Sequence, residues 1–185
     1  MVDRRVGREI GMDAGNVRYK EGSRNLVHVS FKYGKGVTIG NFCIIEEDVV
    51  IGDYVHIGDY VKIPVGSHIG NGCVIGSYVR LGRDCRIGEK VMIKCHAVVS
   101  PEVSIGDNSF IGPNAILLHA TPSGEHRPSK VGSNCFIGTG VYVNPGVKVG
   151  DDIIVGSAAV VTKSIHVRGT YVGVPARLNK TKVRA

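Results

Sequence analysis

From Ile39 an aliphatic residue recurs every six positions without a miss: Ile39, Ile45, Ile51, Ile57, Ile63, Ile69, Ile75, Leu81, Ile87, Ile93, Val99, Ile105, Ile111 and Leu117. The count slips by two and resumes at Val131, Ile137, Val143, Val149, Val155, Val161 and Val167. Neither a helix nor a simple alternating strand keeps a period of six for so long, and internal repetition of this kind belongs to a solenoid. The position four after each anchor is mostly small or β-branched, as in Cys43, Val49, Val55, Val61, Ser67 and Cys73, so it can share an interior with the anchor. Each hexad then supplies one short strand and one corner of a triangular prism. Three hexads make an 18-residue coil, and coils stack at roughly 4.8 Å. Glycine follows thirteen of the anchors directly, including Gly40, Gly52, Gly58, Gly70 and Gly76. It is expected there because a corner calls for positive φ. The fold class is all-β, a parallel β-helix of about seven coils.

The segment 118–130, with two prolines, a glycine and several polar residues, breaks the repeat and reads as a loop ejected from the prism. Such loops carry function more often than coils do. The chain divides into a segment 1–26 outside the repeat, which either caps the prism or helps form the substrate site, the β-helix 27–175 and a basic tail 176–185. The tail holds Arg177, Lys180, Lys182 and Arg184. The net charge of +7 favours anionic partners such as phosphorylated cofactors and nucleotide sugars. No run of five basic residues and no RNA-binding signature is present, so nucleic acid is not expected. No apolar run approaches the roughly 20 residues of a bilayer span, and the first ten residues lack a signal-peptide core. The expectation is a cytoplasmic protein without membrane contact. Cys43, Cys73, Cys85 and Cys135 fall in the small interior slot, whereas Cys95 falls at a corner.

Residues 18 apart lie above one another. Taking the third residue after every third anchor gives Tyr60, Tyr78, His96 and Asn114. If the loop is ejected and Val131 takes the next face in turn, the column continues with Gly140 and Ala158, and its neighbour with Thr139 and Ser157. Large polar and aromatic groups thus give way to small ones along one corner. A thin chain such as pantetheine can lie along the small part, with its thioester toward His96 and Asn114.

The aliphatic-Gly-x-x-small-x pattern resembles the hexapeptide-repeat acyltransferases over about residues 27–175. Three stretches add to it: Met92-Ile93-Lys94-Cys95-His96 with Phe110-Ile111-Gly112-Pro113-Asn114, then 156–163, then Gly173-Val174-Pro175-Ala176-Arg177. Together they are most similar to the nucleotide-linked amino-sugar N-acetyltransferases. The resemblance implies a left-handed coil and a homotrimer with clefts between subunits. It also implies acetyl-CoA as acyl donor, running along the corner at Thr139, Gly140, Ser157 and Ala158. Lys163 and Arg177 match the side where cations meet the coenzyme's phosphates. His96 and Asn114 are the expected catalytic pair, with His96 accepting or positioning the proton of an attacking amine and a corner amide near Gly140 holding the oxyanion. Tyr78, His119 and His126 are expected to meet the sugar substrate. The loop has His119 where the amino-sugar enzymes tend to have Asn, so transfer to a sugar or small-molecule hydroxyl stays open. So does a non-catalytic scaffold. The γ-type carbonic anhydrases share the fold but need zinc histidines five apart. The spacings here are 28, 12, 28, 23, 7 and 40, so no metal is expected.

Overall fold

A computed structural model describes residues 17–19 and 24–179. Their hexads form three parallel sheets. The first face stacks Val17–Tyr19, Val37–Ile39, His56–Ile57, Val74–Ile75, Met92–Ile93, Phe110–Ile111, Phe136–Ile137, Ile153–Val155 and Gly169–Val172. Arg177–Leu178 closes it, antiparallel to Gly169–Val172. The second face runs from Leu26–Val27 to Val160–Val161 in eight strands, and the third from Lys32–Tyr33 to Lys148–Val149 in seven. Between the ends, neighbouring strands are 18 residues apart, as in Val74 opposite Met92, and 26 apart where the loop intervenes, as in Phe110 opposite Phe136. On the first face the first pair is 20 apart, Val17 opposite Val37, and the last parallel pair 16, Ile153 opposite Gly169. The strand after the loop, Lys130–Val131, pairs with Ser104–Ile105, so Val131 does take the next face in turn. The result is a left-handed parallel β-helix of about eight turns. The turn beyond the count made from Ile39 comes from Leu26–Val27 and Lys32–Tyr33, which pair beneath Ile44–Ile45 and Val50–Ile51.

Every anchor from Ile39 to Val161 is buried, and so is almost every residue four places on. The hexad pattern fails at its last step. Val167 is 64% exposed, and Ile165 and Tyr171 occupy the interior instead, opposite Val149 and Val155. The step from Val161 to Ile165 is four residues rather than six, so the final coil is shortened by two.

The glycines after the anchors also have a different cause from the one the repeat suggests. Positive φ falls two residues later, at Tyr60 (57°), Tyr78 (62°), Asp84 (56°), Asn108 (55°) and their equivalents. Gly58 is held by close approach: a Cβ there meets the backbone N of Ser77 at 2.6 Å. The bare residue lets consecutive coils touch at the corner, and the left-handed turn that follows is made mostly by residues other than glycine.

Cys43, Cys73, Cys85 and Cys135 are buried, and each points its Sγ at a main-chain carbonyl of the next coil, for example Cys73 at Gly88 O, 3.0 Å away. Burial pushes the Cys73 and Cys85 thiols up to about 11 and raises Cys43 and Cys135 as well. Cys95 is exposed. Iodoacetamide applied to the native protein should therefore label Cys95 alone, with the other four reacting only after denaturation. A second cysteine labelled at the same rate in an intact-mass time course would show that the interior slot opens.

Much of the expected cap, residues 1–16 and 20–23, lies outside the described residues, as do Lys180, Lys182 and Arg184 of the basic tail. No helix among the described residues is long and apolar enough to cross a membrane.

Candidate active site

The corner between the first and second faces carries Phe42, Tyr60, Tyr78, His96, Asn114, Gly140 and Ala158 in one column, all with φ between 56° and 64°. The first four are rungs of a ladder. Ring centroids lie 5.0 Å apart from Phe42 to Tyr60, 4.9 Å from Tyr60 to Tyr78 and 5.0 Å from Tyr78 to His96, with the Tyr78 and His96 planes 1° apart. Stacking of this kind contributes about 0.5–1.5 kcal/mol per pair, which offsets the strain of a bulky left-handed residue. Above His96 the character changes. Asn114, Thr139, Ser157 and Ala158 are exposed, and a Cβ built on Gly140 meets nothing within 4 Å. The Gly140 N–H is not available to a ligand, because it donates to Pro113 O at 2.9 Å, and Ala158 N–H donates to Thr139 O at 2.8 Å. The free donors are the N–H groups of Thr139 and Ser157, one residue earlier, which have no protein acceptor among the described residues.

His119 and His126 lie on a different corner, between the second and third faces, because the loop leaves after Leu117 and returns at Lys130. Arg127 N donates to His119 O at 2.6 Å and Gly146 N to Arg127 O at 2.7 Å, which folds the loop back onto the prism. The imidazoles of His119 and His126 meet edge to face at 5.1 Å, and His126 Nε2 is 3.7 Å from Glu102 Oε1. His119 is half-buried. Desolvation, then the charge of His126, pull its pKa below the ordinary 6.5 against the opposing pull of Glu102, with Arg83 lowering it further. A histidine held neutral beside a second histidine and a carboxylate is equipped to accept a proton near neutral pH. His96, in contrast, is exposed, and its ring has no polar partner among the described residues.

One chain thus brings Tyr78, His96, Asn114, Thr139, Gly140, Ser157 and Ala158 together, and His119 with His126, but it does not join the two groups. Lys163 is exposed on the loop's corner, two residues after Val161 of the second face. Arg177 is on the closing strand of the first face, where it donates to its own neighbour Ala176 O. Glu102 and Arg83 were not singled out from the sequence. Glu102 is the third residue after Val99 and Arg83 the second after Leu81, so both belong to the two columns of the loop's corner. Among the described residues no group of three or more His, Cys, Asp or Glu is placed to hold a metal ion.

A profile of the bacterial transferase hexapeptide (six repeats) family matches residues 34–65, 84–119 and 128–163, more than half of the chain. Among solved structures, a hexapeptide-repeat acetyltransferase of Vibrio cholerae O1 biovar eltor in complex with acetyl coenzyme A is 25% identical. That match covers 62% of this chain and 69% of that one, with a TM-score of 0.56. A galactoside acetyltransferase in complex with coenzyme A is 28% identical, covering 63% and 64% of the two chains, also at 0.56. A UDP-N-acetylglucosamine acyltransferase is 17% identical over 87% of this chain and 73% of its own, at 0.70, a likeness of fold. Among curated proteins no significant sequence match is found.

Proposed function

The chain belongs to the bacterial hexapeptide transferases, and on that premise we propose that it moves an acetyl group from acetyl-CoA to the amine of a nucleotide-linked amino sugar. The observation that carries the donor half is the first corner, where stacked rings give way above Asn114 to an open strip with two free main-chain donors, Thr139 N–H and Ser157 N–H. A pantetheine amide fits the Ser157 N–H, which leaves the Thr139 N–H for the thioester oxygen, and the coenzyme-bound neighbours support the choice of ligand. A cytoplasmic location suits this donor.

The site is completed by a second copy in a homotrimer. Asn114 and His119 belong to one coil, and His96 and Glu102 to the coil below. A threefold axis parallel to the prism leaves heights unchanged, so the first corner of one copy faces the loop corner of the next with these residues level. The exposed apolar residues Met92, Phe136 and Ile154 on the first face give such an assembly something to cover.

In the reaction the amine lone pair attacks the thioester carbonyl carbon. Thr139 N–H takes the oxyanion, His119 of the neighbouring copy takes the proton lost by the amine, and coenzyme A leaves as its thiol after protonation. His96 and Asn114 hold the acceptor. A second reading, transfer to a hydroxyl, is favoured by one observation: the His119, His126 and Glu102 cluster holds a general base in place, which attack by an alcohol requires and attack by an already neutral amine does not. Product analysis with matched amino and hydroxy sugars separates the two.

The donor site is tested by calorimetry with acetyl-CoA on wild type, Gly140→Tyr and Lys163→Ala/Arg177→Ala. Tyrosine occupies this slot at positions 60 and 78 with nearly the same φ, so the Gly140→Tyr protein should still fold, with Tm lowered by a few degrees because no ring lies beside it to stack on. It should lose acetyl-CoA binding, and the double variant should bind about tenfold more weakly through lost phosphate contacts. Unchanged binding by Gly140→Tyr would remove the donor from this corner.

A further inference from the structure

The aromatic ladder extends three rungs below His96, on the side away from the donor strip, and the donor site leaves it unused. Phe42, Tyr60 and Tyr78 are 47%, 48% and 48% exposed. Their faces are occupied by one another, so what they offer to solvent is a row of ring edges with two phenol hydroxyls, rising in steps of about 5 Å. Ring edges carry partial positive charge and meet the π-face of a flat ring in the edge-to-face arrangement. A sugar that packs its C–H face needs a ring face, and Tyr60 and Tyr78 have both of theirs covered by neighbouring rings. A nucleobase laid across the edges fits.

A second observation is independent of the ladder. Two residues past Tyr60 and Tyr78 stand Lys62 and Arg80, side by side on adjacent strands of the second face. Like charges directly across a strand pair are unfavourable. Lys62 is partly compensated by Glu46, 2.7 Å away. Arg80 is exposed and has no hydrogen-bond or ion-pair partner among the described residues. Asp59, on the same corner, turns its Oδ1 to Asn41 N at 2.7 Å. Arg80 therefore presents a free guanidinium, with a second cation beside it, next to the ring edges. That is the geometry a diphosphate takes bidentately.

The geometry points to a nucleoside diphosphate site formed by the edges of Phe42, Tyr60 and Tyr78 with Arg80 and Lys62. This inference rests on the proposed nucleotide-linked acceptor and assigns its handle to this corner. The base lies across the lower rungs, the diphosphate meets Arg80, and the sugar reaches up to His96 and Asn114. Donor and acceptor then approach along one corner from opposite ends.

The test is calorimetry on the full chain saturated with acetyl-CoA, titrating uridine diphosphate, guanosine diphosphate and inorganic pyrophosphate into wild type, Arg80→Ala and Tyr60→Asn. Asparagine keeps the left-handed corner. At least one nucleoside diphosphate should bind wild type, and more tightly than pyrophosphate. Arg80→Ala should weaken both kinds of ligand about tenfold. Tyr60→Asn should weaken the nucleotide about fivefold and leave pyrophosphate within twofold. The site is overturned if neither nucleotide binds, if binding is displaced by acetyl-CoA, or if both variants bind as wild type does. Absence of acetyl-CoA binding is a different result and strikes the proposed function itself.

Discussion

His119→Ala is expected to keep acetyl-CoA affinity within about twofold and to lose about 10²-fold in kcat with an amine acceptor, rising toward 10⁴-fold with a hydroxyl. The difference arises because an alcohol must shed its proton as it attacks, whereas a neutral amine sheds it later. His96→Ala, removing an exposed ring that holds the acceptor, should cost less than about tenfold in kcat and act mainly on the acceptor KM. Steady-state kinetics with chromatographic detection of coenzyme A avoids thiol reagents that Cys95 would consume. The pH profile carries the same assignment. Because the folded pKa of His119 is lowered from 6.5, the acid limb of kcat/KM should fall below pH 6.5 and vanish in His119→Ala. The linked stability has the matching sign. The folded chain binds the proton less readily than the unfolded one, so stability is full above pH 6.5 and declines as pH falls through the lowered value. If His119→Ala turns over at the parent rate while His96→Ala is dead, proton transfer belongs to the first corner.

How far the sequence reaches is clear from particular residues. The anchors were legible because a six-residue period has no other cause than a solenoid, and each from Ile39 to Val161 is interior. Val167 was misread because a lost pair of residues leaves an aliphatic side chain in step by chance. Ile165 stands four places after Val161 and so belongs to the interior series by count, but only its pairing with Val149 shows that it takes the anchor's place. The column from Tyr60 to Ala158 was legible by counting. Its stacking was not, since periodicity gives a height and not a ring orientation. The glycine after the anchor was legible as a requirement and illegible as a cause. The constraint at Gly58 is a neighbour 19 residues away, and φ preferences do not reveal it. The loop histidines were found, but their partner Glu102 lies on the coil below at a corner whose column was not counted. The separation of His96 from His119 follows from which face precedes each, and it is what makes a second subunit necessary to the proposed site.

The same close approach gives the largest expected loss of stability from a single methyl group. At Gly82 an added Cβ would stand 2.1 Å from the backbone N of Pro101 and 2.5 Å from its Cα. Neither atom can rotate away, as a side-chain tip can, and the proline ring stiffens the segment further. Relief requires the coil of Leu81 to part from the coil of Val99, although Gly82 N must donate to Val99 O at 2.7 Å to keep them paired. Overpacking of this kind costs about 1–3 kcal/mol, and more where backbone must move, so Gly82→Ala is expected to lower Tm by about 10 °C at the 2–4 °C per kcal/mol typical of this chain length. Gly140→Ala is the control. The chemical change is identical, but no heavy atom lies within 4 Å of the new Cβ, and Ala158 already occupies the equivalent slot at φ 58°. Its Tm should fall by only about 2–4 °C, at about 1 kcal/mol for one left-handed alanine. Thermal unfolding followed by circular dichroism reads both. Equal shifts in the two variants would mean that glycine serves both positions through backbone freedom, and that contact between coils is looser than the distances at Pro101 require.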